Sequence, residues 1–201
     1  MTGLTEAGFA PQIRDRASRP FSYLLLESVF PHAVVEGLIT WLERDGPWRR
    51  VETDFYEQYE FSLLDVELPM PLAHLVEPAG LEAARRFIEE EFACQLTDRI
   101  DVVAHKLLPG QRIAIHNDYL VGEETHRLTV QLNRGLSDED GGFFMLFNSR
   151  DAADVHRVLR PANNTAIAFE ISTESHHAVS RLHGGERYTL VYSFLAHRSD
   201  D

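Results

Sequence analysis

The amino-acid sequence predicts a mainly β protein with N-terminal helices, its strands arranged as a jelly roll, and three observations carry that expectation. After about residue 99, runs rich in β-branched and aromatic side chains recur between Gly, Pro and Asn/Asp breaks. No helix-length pattern separates these runs, so consecutive strands are expected to pair antiparallel and not to form βαβ units. Before residue 99 the texture differs, with two amphipathic helical patterns that would cover one outer face of a sheet.

At 201 residues and 44% hydrophobic content, the chain suits one compact domain with a substantial core. Its texture divides it into a flexible N-terminal arm (1–20), a mixed support region (21–98) and a β-rich core (99–198). The arm is polar and broken by Pro11 and Pro20. FSYLLLESVF then reads as a short buried strand. Pro31 suits a first helical turn, Val34, Val35, Leu38, Ile39 and Leu42 recur at helical spacing, and Gly46 is placed to end that helix. Residues 47–77 are less periodic and predict loops with short strands around Phe55-Tyr56-Glu57-Gln58-Tyr59-Glu60-Phe61. A second helix is expected over roughly 79–95, with Leu81, Ala84, Phe87, Ile88 and Phe92 on one face. Eight candidate strands follow: DVVAHKLL, QRIAIHNDYL, HRLTVQLN, GGFFMLF, VHRVLR, NTAIAFE, HHAVSRL and ERYTLVYSF.

Charge and cysteine usage exclude several function classes. With 19 Lys+Arg against 32 Asp+Glu the formal net charge is −13, and such a surface repels phosphate backbones, so nucleic acid is not expected as a partner. A single cysteine, Cys94, rules out an intrachain disulfide, a zinc ribbon and a CxxC redox site. No signal-peptide core and no long apolar stretch is present, which predicts a soluble, cytoplasmic protein without a membrane partner.

The chemistry-bearing residues sit in the second half. In QRIAIHNDYL, His116 and Asp118 are two apart, and strand alternation puts both on one face while Asn117 points away. Near the end, SHHAVSRLHGGERYTLVYSF places Arg187 about ten residues after a histidine pair. Two histidines and one carboxylate on one side of iron(II) form the facial triad of non-haem oxygenases and leave coordination positions open for a chelating 2-oxo acid and O2. Fe(II), two neutral imidazoles, one aspartate and doubly ionised 2-oxoglutarate sum to a single negative charge. Arg187 would neutralise it and match the distal carboxylate through two parallel hydrogen bonds. Thr189, two residues on, would share that face and add a hydroxyl donor.

Residues from about 101 to 195 resemble the prolyl-hydroxylase-like branch of the Fe(II)/2-oxoglutarate oxygenases. KLLPGQRIAIHND resembles the family's glycine-containing turn into its His-x-Asp strand, and LTVQLN its strand ending in Leu-Asn. DEDGGFFMLF resembles its acidic Gly-Gly-hydrophobic turn, and HAVSRLHGGERYTLVYSF its His-x-Val, ten-residue spacing and Arg-x-Ser/Thr ending. The resemblance implies a double-stranded β-helix in which His116, Asp118 and His177 hold Fe(II), His177 being preferred to His176 because Val179 follows it. It implies that Arg187, Thr189 and Gln131 contact 2-oxoglutarate, Gln131 standing where the family often has tyrosine. The implied reaction is 2-oxoglutarate-dependent dioxygenation, with release of succinate and CO2 and hydroxylation of an aliphatic C–H. Halogenation is not expected, since Asp118 fills the position that the family's halogenases leave to chloride.

Blander readings apply elsewhere among the 10 histidines and their neighbours. His105 and His126 read first as hydrogen-bonded packing residues, Arg127 as a surface ion pair, Tyr56 and Tyr59 as packing aromatics, and Glu89-Glu90-Glu91 as a solvated helix face. A chain this short favours an amino acid, a small metabolite or a peptide side chain as substrate. The alternative from another class is a non-catalytic barrel that senses or stores a metal or small acid.

Overall fold

The computed structural model describes residues 8–197. Its elements, in order, are β1 (Gln12–Ala17), β2 (Tyr23–Glu27), α1 (His32–Arg44), β3 (Arg49–Glu52), β4 (Glu57–Ser62), α2 (Pro78–Phe92), β5 (Leu96–Leu107), β6 (Ile113–His116), β7 (His126–Gln131), β8 (Phe144–Phe147), β9 (Val155–Leu159), β10 (Thr165–Glu170), β11 (His177–Val179) and β12 (Arg187–Ala196). An eight-stranded sheet runs β1-β2-β10-β7-β12-β5-β4-β3, and a four-stranded sheet runs β6-β11-β8-β9. Every strand pairing is antiparallel. From β5 onward the chain passes back and forth between the two sheets, which is the double-stranded β-helix. The eight strand-forming runs each supply one of β5 to β12.

Period-2 alternation along the central strands builds two cores, one on each face of the large sheet. On β12, Tyr188, Leu190, Tyr192 and Phe194 join β2, β5, β7 and β10 residues in a core packed against α1 and α2. α1 contributes Val35, Leu38, Ile39 and Leu42, and α2 contributes Ala84 and Ile88, all buried. These are the stripes that helical spacing predicts, and each buried Val, Leu or Ile among them stabilises the fold by about 1.5–3 kcal/mol. A smaller core between the sheets holds Tyr23, Leu107, Phe144, Leu146, Ile167 and Phe169, among others. The remaining inward positions on that face are mostly polar, with Val103 and Val191 among them, and they form the site.

The N-terminal arm is corrected in part. Residues 12–17 do not hang free but pair with β2 as an edge strand of alternating exposure. Pro11 and Pro20 lie outside the strand, so its backbone donors stay available for the ladder. Phe9 is buried edge-to-face against Phe30 and Phe87. Residues 1–7 of the expected arm lie outside the described residues. Nor is the Glu89-Glu90-Glu91 run simply a solvated face. Glu89 accepts from Arg85 and from the backbone N–H of Leu96, tying the end of α2 to the start of β5, and Glu91 pairs with Arg16. Among the described residues, no helix is long and apolar enough to cross a membrane.

Candidate metal centre and its cavity

Strand β11 lies between β6 and β8, and its register sets His177 directly opposite His116. The two imidazole rings are 4.2 Å apart between centroids. Asp118 joins them by a route that strand alternation does not describe. β6 ends at His116, and Asp118 sits beyond it at φ 59°, in the left-handed region that Asp tolerates better than most residues. The intervening Asn117 is pinned from three sides, which holds that turn. Its side chain donates to the Thr173 carbonyl and accepts from the Tyr119 N–H, and its carbonyl accepts from the Ser175 hydroxyl.

One ligand atom from each of His116, Asp118 and His177 lies within 4.8 Å of the others. The His116 Nε2 is 3.2 Å from Asp118 Oδ1 and the His177 Nε2 is 3.1 Å from Asp118 Oδ2. Ligands about 2.1 Å from an ion and at right angles to one another are about 3 Å apart, and each imidazole nitrogen stands at that spacing from the carboxylate oxygen it faces. Each Nδ1 donates to a backbone carbonyl, Ala114 for His116 and Ser175 for His177. Both Nε2 lone pairs are therefore left free to bind an ion. Burial pushes His177 below its ordinary value and favours the neutral, ligating form. Phe144 stacks on His177 at 5.3 Å and Phe55 lies 4.9 Å from His116, which fixes the ring planes.

The Asp118 carboxylate is also held by Arg127, whose guanidinium in turn grips Glu124. This is a half-buried ion triad, where the sequence suggested a surface pair. Although burial raises the Asp118 carboxyl, Arg127 and the imidazoles outweigh it and hold it well below the ordinary range.

These residues line a cavity of about 260 Å³ between the sheets, and Arg187 and Thr189 on β12 line it too. Arg187 is 3% exposed. Its Nη1 donates to the Thr189 hydroxyl at 2.8 Å, while Nε and Nη2 have no partner among the described residues. Burial pushes this guanidinium down to about 10, so it is still charged at neutral pH. A buried, charged fork with two unused nitrogens suits a carboxylate ligand. The cavity also contains Tyr56, Gln58 and Glu60 from β4 and the bridge before it, together with His105 from β5. The sequence read Tyr56 and His105 first as packing residues and gave Gln58 and Glu60 no role, whereas all four line the cavity.

Gln131 is placed differently. It pairs in register with Thr189 and is buried, yet it lines a neighbouring cavity, with Phe144 common to both. His126 lies on the helix side against Phe92 and takes no part in the site. Tyr59 faces Lys106 and away from the triad. His176 is buried, with neither ring nitrogen partnered among the described residues, and stands outside the ligand cluster.

Comparison with known proteins agrees with this geometry. Residues 102–194 match the profile of the 2OG-Fe(II) oxygenase superfamily. Among solved structures, the chain resembles a prolyl 4-hydroxylase of Pseudomonas putida, with TM-score 0.71 and 18% identity over 88% of this chain and 93% of that one. It resembles the viral collagen prolyl hydroxylase of Paramecium bursaria Chlorella virus-1, with TM-score 0.64 and 16% identity over 87% and 96%. A third likeness is the Trichoplax adhaerens prolyl hydroxylase solved with a hypoxia-inducible-factor peptide, with TM-score 0.71 and 11% identity over 86% and 83%. No curated protein matches the chain in sequence.

Proposed function

We propose that this chain, which has a prolyl-hydroxylase-like fold, is a 2OG-Fe(II) oxygenase, an enzyme that requires Fe(II), 2-oxoglutarate and O2, and that it hydroxylates an aliphatic C–H of an amino acid, small metabolite or peptide side chain. His116, Asp118 and His177 would hold the iron, and Arg187 with Thr189 would receive the distal carboxylate of 2-oxoglutarate. The observation that carries the reading is the buried Arg187 fork, unpartnered at two nitrogens, in the same cavity as the triad. Bound there, the iron and 2-oxoglutarate supply the oxidising chemistry. The chain supplies ligands, orientation and a water-poor cavity. A cytoplasmic setting accords with the single cysteine.

The test is 2-oxoglutarate binding to the Mn(II)-loaded protein by calorimetry, together with succinate release under Fe(II) and O2. Both are expected in the unaltered protein and both should be lost in Asp118→Ala. Metal uptake with neither 2-oxoglutarate binding nor succinate would point instead to a non-catalytic metal-binding barrel.

A further inference from the structure

On β4 and the bridge before it, alternation aims Tyr56, Gln58 and Glu60 at the metal cavity, while Phe61 packs on Trp41 and Trp48 on the helix side. Gln58 is 2% exposed, and its Nε2 donates to the Glu60 carboxylate at 2.7 Å. A carboxylate only accepts, so this bond settles the amide orientation and leaves Gln58 Oε1 as an acceptor. That oxygen is buried and has no partner among the described residues. Among the described residues, the Glu60 carboxylate likewise has no cationic partner. His105, opposite it in the β4–β5 register, comes only to 3.9 Å, and burial together with the Arg127 and Arg187 guanidiniums pushes that imidazole down to about 3, hence neutral. Arg49 is opposite Glu60 in the β3–β4 register but is exposed and forms no ion pair with it.

Resting on the oxygenase reading, charge can be assigned partner by partner. Arg127 is balanced by Glu124, Arg187 by one carboxylate of 2-oxoglutarate, and the divalent iron by Asp118 and the other carboxylate. Glu60 remains over. A half-buried carboxylate beside a buried, unpartnered amide oxygen is an acceptor pair suited to a group with several N–H donors and a positive charge. The same wall repels the anionic cosubstrate, so it is free for the substrate. We propose that the substrate carries a cationic nitrogen, an ammonium, and that Glu60 and Gln58 hold it at the metal cavity.

An α-ammonium and a basic side chain offer the same chemistry, and three probes on one carbon skeleton separate them: L-norleucine amide, Nα-acetyl-L-lysine methylamide and the neutral Nα-acetyl-L-norleucine methylamide. Binding to the Mn(II)- and 2-oxoglutarate-loaded protein is read from Mn(II)-induced relaxation of probe protons. At least one cationic probe should bind, the neutral one should not, and Glu60→Gln should weaken cation binding by about tenfold or more. The Glu60→Gln protein should keep its melting temperature and its 2-oxoglutarate affinity, since glutamine still accepts from Gln58. Equal binding of the neutral probe, binding of no cationic probe, or unchanged cation affinity in Glu60→Gln would overturn the inference while 2-oxoglutarate still binds. Failure of 2-oxoglutarate itself to bind would overturn the oxygenase reading, and this inference with it.

Discussion

Arg187 shows most directly how one residue can carry a functional reading. A charged guanidinium that is 3% exposed and hydrogen-bonded at one nitrogen only is poorly satisfied in the protein alone. Arg187→Lys keeps the charge and loses the planar fork. The expected result is a 2-oxoglutarate dissociation constant raised by about tenfold or more, with little change in melting temperature. A variant that unfolds readily, yet whose folded fraction binds 2-oxoglutarate normally, would make Arg187 structural. Sequence reasoning could find this residue because its spacing from His177 survives in a motif. It also found His116 and Asp118 together, though by a rule the structure replaces. Two-residue alternation needs the strand to continue, whereas β6 stops at His116 and a left-handed Asp118 turns back to the same place. Arg127 was harder to read, because an arginine beside Glu124 in sequence gives no sign that Asp118, nine residues away, shares its burial.

At the scale of elements, the turn before β8 sets the space that Arg187 occupies. Gly141 and Gly142 have φ of 72° and 68°. A Cβ on Gly142 would lie 3.0 Å from Arg187 Cδ and 3.0 Å from Leu182 Cδ1. Gly142→Ala therefore combines backbone strain with pressure on the fork, and about 1 kcal/mol or more of stability should be lost. Its 2-oxoglutarate affinity should fall as well. Gly110→Ala is the matched control, since it has φ of 95° with nothing near the added carbon, and it should lose stability but keep the affinity. Thermal melts and 2-oxoglutarate titrations on both variants decide the matter, and equal affinities would separate the turn from the fork. Strand β4 shows the limit of reading elements from sequence. Its alternation could be counted, with Tyr56, Gln58 and Glu60 on one side, but only the β4–β5 register puts that side against His105. Pairing partners more than forty residues apart are set by the fold as a whole, and no local pattern announces them.

For the whole molecule, the large sheet divides apolar layers that the sequence describes well from a polar cavity that it describes only through motifs. The helix-side core follows from periodicity, so α1, α2 and the outward faces of β5, β7 and β12 were legible. The division has a consequence for stability against pH, because neutral histidines are withdrawn from water on both sides of that sheet, His126 buried on the helix side and His105 half-buried on the cavity side. His105 is pushed down to about 3 by burial and the nearby guanidiniums, and His126 to about 4 by burial. In the unfolded chain both titrate near 6.5. Folded values below unfolded ones mean that the unfolded chain binds more protons between them, so stability rises with pH in that interval. The contribution is complete above about pH 6.5 and is lost as pH falls toward the folded values, at up to about 1.4 kcal/mol per pH unit for each histidine. His177 is shifted the same way by burial, whereas Asp118 lies below the ordinary carboxylate range and stays ionised through this window. Metal-free protein should therefore melt progressively lower from pH 7 to pH 5, before carboxylates take part. His126→Gln removes one of these groups far from the ligand cluster, and its melting temperature should depend less steeply on pH over the same interval. An unchanged slope in His126→Gln would show that His126 does not resist protonation in the folded protein, and the acid sensitivity would then have to arise on the cavity side of the sheet.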